Sequence, residues 1–139
     1  MSPVRGQKAA VIVQAATGVR AGELLAWQQH EVDFLRRTII VREQLHRLKR
    51  IRVPLKTSYS KRDLPLPQVA VDALAEHLAK FPANEDGFVF TDDQNRPWQY
   101  GSYNDSVVAA AKKIGLPHTT THDLRHHYAS VLLDAGEAW

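Results

Sequence analysis

Apolar residues recur with two different periods along the chain, and each change of period predicts a change of secondary structure. The alanine-rich apolar run over residues 8–16 is typical of a buried helix, which Thr17-Gly18 should end before a second helix over residues 20–27. From residue 38 the pattern becomes extended. Three short strands are predicted there: T-I-I-V-R-E (38–43), R-I-R-V-P-L (50–55) and R-D-L-P-L (62–66).

Helical spacing returns after these strands. Residues 68–81 carry apolar side chains at intervals of three and four, and two further helices are predicted over residues 103–114 and 122–135. No repeat or linker divides the sequence. The pattern therefore predicts one domain over residues 1–139, mainly α with a small three-stranded antiparallel β-sheet, which is an α+β fold.

Positive charge is concentrated in the region of the predicted strands. Between Arg36 and Arg62 lie ten of the 18 lysines and arginines and a single acid, Glu43, whereas the net charge of the whole chain is only +3. A basic segment on an otherwise acidic body is the electrostatic footprint of a nucleic-acid-binding protein. A solvated, charge-rich hairpin is the alternative explanation of the same charges.

The composition excludes several other classes of protein. The chain has no cysteine, which excludes disulfides and thiolate metal sites and favours an intracellular setting. No apolar stretch approaches the roughly 20 residues of a membrane span, and the N-terminus lacks the apolar core of a signal peptide. We therefore expect a cytoplasmic protein with no membrane contact.

One segment near the end of the chain, T-H-D-L-R-H-H (121–127), carries the most specific chemistry. In a helix, the side chains of His122, Arg125 and His126 project from one face, and all three can donate hydrogen bonds to an anion. Two other basic motifs lie far away in the sequence, T-G-V-R-A-G-E-L (17–24) and L-K-T-S-Y-S-K-R (55–62). Three separated elements of this kind predict one composite phosphate-binding site.

With these three motifs in this order, the chain resembles the catalytic domain of the tyrosine recombinases, the phage-integrase family of site-specific DNA strand exchange. The segments E-V-D-F-L-R-R-T-I-I-V (31–41) and D-L-P-L-P (63–67) agree with that family as well. The resemblance implies cleavage and rejoining of DNA strands without metal or cofactor, through a 3′-phosphotyrosine in the full-length protein. It also implies double-stranded DNA as a partner and a tetramer of recombinase protomers on that DNA.

The resemblance gives a role to each motif residue. Arg20 and Arg125 would clamp the non-bridging oxygens of the scissile phosphate, and His122 would donate a further hydrogen bond. Lys56 would protonate the departing 5′ oxygen. Glu23 would orient Arg20, and His126 would support the site. The phosphate backbone outside the site would be bound by Arg47, Lys49, Arg50, Lys61 and Arg62.

The nucleophilic tyrosine of the family is the element that this sequence does not match. The chain ends 14 residues after Arg125, and all four tyrosines precede or lie within the last motif: Tyr59, Tyr100, Tyr103 and Tyr128. We therefore expect a partial catalytic domain that is inactive alone, without the DNA-clamping domain and the nucleophile segment. A fragment of a longer recombinase and an inactive prophage remnant both fit this expectation.

Two other functions are compatible with parts of the sequence. His122 and His126 have the spacing of a helical zinc pair, but Arg125 would project between the two imidazoles and repel a dication, and no third ligand is evident, so no metal is expected. The second alternative is a non-catalytic DNA-binding module. In that case the basic segment grips backbone phosphate and no chemistry follows.

Overall fold

A computed structural model describes residues 5–57, 60–113, 115 and 120–122. In this part of the chain there are four α-helices, namely α1 (Gln7–Thr17), α2 (Ala21–Leu25), α3 (Gln68–Lys80) and α4 (Tyr100–Lys113). The five strands are β1 (Val32–Asp33), β2 (Thr38–Val41), β3 (Glu43–Leu45), β4 (Arg52–Pro54) and β5 (Arg62–Pro65). A 3-10 turn, Gln29–Glu31, leads into β1. The helix predicted over residues 122–135 lies outside the described residues.

The predicted α+β fold with a three-stranded antiparallel sheet is confirmed, but one strand of the sheet differs from the prediction. The sheet has the order β1-β2-β5, with Ile39 of β2 opposite Val32 on one side and Leu64 on the other. The stretch predicted as the middle strand forms β4, which pairs only with β3 in a separate hairpin. Only Arg42 separates β2 from β3, so a nearly continuous strand changes partners at that residue.

The core lies where α1 and α3 meet α2 and α4. Its largest fully buried side chains are Trp27, Trp98, Tyr103 and Phe90, which are joined by Leu24, Leu25, Ile39 and Leu74. Each buried leucine or isoleucine stabilises the fold by about 1.5–3 kcal/mol relative to an exposed side chain. No helix in the described ranges has the length and apolar character that a membrane crossing needs.

The end of α1 and the start of α2 place the first basic motif. Gly18 has a left-handed backbone (φ 73°) and donates its N–H to the carbonyl oxygen of Gln14 at 2.9 Å, which closes α1. Val19 is fully buried. Arg20 then has an extended backbone (φ −72°, ψ 147°) and precedes the first residue of α2, so α2 is shorter than the predicted helix over residues 20–27.

Candidate functional site

A groove of about 760 Å³ lies between the start of α2, the β3–β4 hairpin and residues 121–122. Arg20, Lys56 and His122 all line this groove, although they come from three distant parts of the chain. All three side chains are exposed to solvent. The other two residues predicted for the site, Arg125 and His126, lie outside the described residues.

Arg20 is positioned through its main chain. Its N–H donates to Oε1 of Glu23 at 3.1 Å, which is the usual hydrogen bond from the residue before a helix to an acidic third helical residue. The carbonyl oxygen of Arg20 accepts the N–H of Leu24 at 2.9 Å. Because both main-chain groups are bound and Val19 is buried, the backbone that carries the guanidinium is fixed at the edge of the groove.

The contacts of Glu23 differ from the predicted ones. Its carboxylate is buried, with 2% of the residue exposed, and it accepts two hydrogen bonds from the guanidinium of Arg62 at 3.0 and 3.1 Å. Within the described chain, no ion pair joins Glu23 to the guanidinium of Arg20. Glu23 therefore holds the main chain of Arg20 rather than its side chain. Both carboxylate oxygens of Glu23 are already occupied by the planar guanidinium of Arg62, which binds one with each of two nitrogens.

The basic segment offers fewer cations to a ligand than its composition indicates. Arg62 is bound to Glu23, and Arg50 donates to the carbonyl oxygen of Pro97 at 3.0 Å and lies 3.7 Å from a carboxylate oxygen of Asp92. Arg50 and Arg62 thus already have partners inside the protein, and their expected DNA contacts stay predictions. Three members of the predicted DNA-contacting set are exposed: Arg47, Lys49 and Lys61. The guanidinium of Arg47 also lies 4.3 Å from the ring centre of Tyr100.

Lys56 begins a turn between β4 and β5. The hydroxyl groups of Thr57 and Ser60 are 3.0 Å apart, and the N–H of Ser60 donates to the carbonyl oxygen of Thr57 at 3.2 Å. The carbonyl oxygen of Ser60 in turn accepts a hydrogen bond from Arg62 at 2.8 Å. These contacts anchor the far end of the turn that carries Lys56.

Two side-chain amides position the segment before His122, and no sequence motif points to either: Gln14, which is buried, and Asn104, which is half-buried. The side-chain N–H of Gln14 donates to the carbonyl oxygen of Thr121 at 3.2 Å, and Oε1 of Gln14 accepts the hydroxyl of Tyr103 at 2.8 Å. The N–H and the hydroxyl of Thr121 both donate to Oδ1 of Asn104 at 3.3 Å. One polar residue in the apolar run V-I-V-Q-A-A was the available signal for Gln14.

The two tyrosines in the described ranges have structural contacts. Tyr103 is fully buried, and burial raises the pKa of its hydroxyl well above the usual range. Tyr100 is half-buried under Arg47. Tyr59 and Tyr128 lie outside the described residues.

The described part of the groove presents cations and hydrogen-bond donors. Arg20 and Lys56 are positively charged, and His122 adds an imidazole, so the surface suits an anion with several oxygens, such as a phosphodiester. Among the described residues, no group of three or more His, Asp and Glu side chains is close enough to hold a metal ion. The described residues of the groove therefore have the chemistry that an anion-binding site needs.

Known sequences are similar to this one over most of its length. A model of the phage integrase family matches residues 4–137. The integrase of Staphylococcus phage L54a is 34% identical over an alignment that is 139 residues long. This alignment covers 90% of this chain and 39% of that protein. The putative defective protein IntQ of Escherichia coli K12 is 32% identical over 89% of this chain and 37% of its own length. The chain thus spans about two fifths of the length of these relatives.

Solved structures show the same fold. The Tn1549 transposon integrase in complex with circular intermediate DNA superposes with a TM-score of 0.72 at 27% identity, over 92% of this chain and 47% of that one. The XerA recombinase has a TM-score of 0.68 at 23% identity, over 94% of this chain and 45% of that one. Because the family model covers nearly the whole sequence, the protein belongs to the phage integrase family of tyrosine recombinases.

Proposed function

We propose that this chain forms the phosphate-binding part of the active site of a site-specific DNA recombinase that acts on double-stranded DNA as a multimer of protomers. The observation that carries the proposal is the convergence of Arg20, Lys56 and His122 on one groove. Residues from three separate motifs line this one groove, which is the arrangement that a single shared ligand requires. Arg125 and His126 complete the proposed site.

In the proposed reaction, a tyrosine hydroxyl releases its proton to water as its oxygen attacks the scissile phosphorus, and the bond from phosphorus to the 5′ oxygen breaks. The products are a 3′-phosphotyrosine and a free 5′ hydroxyl. Arg20 and Arg125 stabilise the charge on the non-bridging oxygens, a task for which one arginine is worth about 10³–10⁵ in rate in other phosphoryl-transfer enzymes. Lys56 supplies the proton that the departing 5′ oxygen takes up.

DNA binding by the chain itself tests the first half of this proposal. Phosphate contacts through Arg47, Lys49 and Lys61 should give weak, largely sequence-independent affinity that falls steeply with salt. Reversing these three charges should lower the affinity and the salt dependence. A matched triple reversal of Lys80, Lys112 and Lys113, which are also exposed but do not line the groove, should have little effect. Equal losses in the two variants would contradict the proposed binding surface.

Strand cleavage tests the second half. A DNA substrate with a nick next to the scissile phosphate traps the covalent intermediate, because the short leaving strand diffuses away. A version extended downstream to include a family-like tyrosine should form this intermediate, whereas the present chain should only bind. Replacing Lys56 with Ala in the extended version should slow cleavage at least tenfold. Binding without cleavage by the extended version would instead favour a non-catalytic DNA-binding module.

A further inference from the structure

Arg62 connects the two parts of the groove that carry Arg20 and Lys56. Its guanidinium donates to both carboxylate oxygens of Glu23, at 3.0 and 3.1 Å, and to the carbonyl oxygen of Ser60 at 2.8 Å. Glu23 also accepts the N–H of Arg20 at 3.1 Å. A continuous series of hydrogen bonds therefore runs from the main chain of Arg20 to the end of the turn that carries Lys56.

This connection is rigid for two physical reasons. First, the carboxylate of Glu23 is buried, and a buried charge is stable only where a counter-charge and hydrogen bonds compensate it. Second, a planar guanidinium bound to both oxygens of a carboxylate has a fixed direction, unlike the single-point ammonium of a lysine. The third bond, to Ser60, then fixes the turn relative to α2. The restraint extends from Ser60 to Thr57, because the hydroxyl groups of these two residues are 3.0 Å apart.

We infer that Arg62 is a positioning residue that holds the Lys56 turn in register with Arg20. The inference rests on the proposed function for the role of Lys56. Holding the turn in place matters for the geometry of proton transfer from Lys56. A general acid works only within hydrogen-bond reach of the atom that it protonates, so a fixed turn raises the share of molecules in which Lys56 can act.

Three variants separate positioning from charge. Arg62→Lys keeps the charge but cannot bind both oxygens of Glu23 and the Ser60 carbonyl together. The double variant Glu23→Gln/Arg62→Gln removes the ion pair without leaving a buried charge and without changing the net charge, which protects the fold. Lys61→Gln is the matched control, because Lys61 is the adjacent cation and is exposed.

The first readout is the rate of amide hydrogen exchange, which NMR measures on the whole chain. Exchange at the N–H of Ser60 should become about tenfold faster or more in both Arg62 variants, because the turn opens more often. Exchange in α1 and α3 should stay unchanged, and Lys61→Gln should behave like the wild type. Unchanged exchange at Ser60 in both Arg62 variants would overturn the inference.

The second readout follows the Lys56 side chain during titration with inorganic phosphate. The chemical shift of Cε of Lys56 should respond in the wild type and in Lys61→Gln, and at least half of the response should be lost in both Arg62 variants. A response at Lys56 that equals that of the wild type in both variants would contradict positioning. If the wild type shows no phosphate response at Arg20, Lys56 or His122, the proposed function fails. The exchange at Ser60 still decides whether Arg62 holds the turn.

Discussion

The two halves of this molecule stabilise their buried polar groups by different means. In the helical half, formed by α1, α3 and α4, the contacts are between neutral groups: Gln14 binds Tyr103, and Gln7 donates to the carbonyl oxygen of Ser106 at 3.1 Å. In the sheet half, formed by α2, the 3-10 turn and the strands, they are ion pairs. Glu23 binds Arg62 and Glu31 binds Arg52.

The candidate site lies at the boundary between these halves. The neutral contacts of the helical half hold the segment before His122, and the ion pairs of the sheet half hold the backbone of Arg20 and the turn of Lys56. The stability of the two halves should respond differently when one partner of a buried hydrogen bond or ion pair is removed. It should also respond differently to a change of pH.

The largest expected effect is the loss of Arg52 from the sheet half. Arg52 lies 2.7 Å from a carboxylate oxygen of Glu31, whose side chain is only 3% exposed, and it also binds Gln28. Arg52→Met leaves that buried carboxylate without a counter-charge and should lower the free energy of unfolding by about 3–5 kcal/mol, measured with urea. The double variant Glu31→Gln/Arg52→Met removes both charges and should lose much less. Equal losses would show that the charges contribute little.

The second effect belongs to the helical half. Gln14→Leu leaves both the hydroxyl of Tyr103 and the carbonyl oxygen of Thr121 without their partner, in a fully buried place. We expect a loss of about 2–4 kcal/mol in the free energy of unfolding, since each orphaned buried group costs about 1–3 kcal/mol. Adding Tyr103→Phe to Gln14→Leu should restore part of this loss. A double variant less stable than Gln14→Leu would indicate packing damage instead.

The third effect is a pH dependence in the helical half. Burial lowers the pKa of His77, and the nearby charge of Arg5 lowers it as well, against the hydrogen bond to the carbonyl oxygen of Val89. The unfolded chain therefore binds a proton at His77 near pH 6.5 while the folded chain does not. Stability should fall as the pH drops below that value, by at most about 1.4 kcal/mol per pH unit for one proton.

Thermal or urea unfolding between pH 7 and pH 5 measures this slope. His77→Gln should flatten it, whereas His30→Gln, which changes an exposed imidazole, should leave it as in the wild type. A slope that persists in His77→Gln would assign the dependence to other groups.

The smallest effect is expected at the surface. Lys80 and Glu76 are 3.5 Å apart on α3, but their side chains are 66% and 74% exposed. Lys80→Gln should change the free energy of unfolding by less than about 0.5 kcal/mol, because water and salt screen the pair. A loss above 1 kcal/mol in urea unfolding would mean that exposed pairs also stabilise this fold, and the contrast with Arg52 would weaken.

Local sequence patterns predicted the helices better than the sheet. The apolar runs over residues 8–16 and 68–81 correspond closely to α1 (Gln7–Thr17) and α3 (Gln68–Lys80), because side chains three and four positions apart share one face of a helix. The partners of the strands were less predictable. An alternating stretch can pair with any neighbour that offers a buried face. The sequence pattern therefore predicts residues 50–55 as a strand of the main sheet, whereas β4 pairs with β3.

The sequence by itself determined the family, because three motifs of fixed residue types and spacings identify it. The roles of the candidate site residues stay predictions. The tertiary structure alone decided which charges are free and which are used inside the protein. The charge pattern predicts a DNA contact for Arg62, and only the fold shows that its guanidinium binds Glu23, 39 residues away along the chain. A charge pattern records how many cations a segment has. Only folding brings a distant buried carboxylate to one of them, since its burial requires a counter-charge.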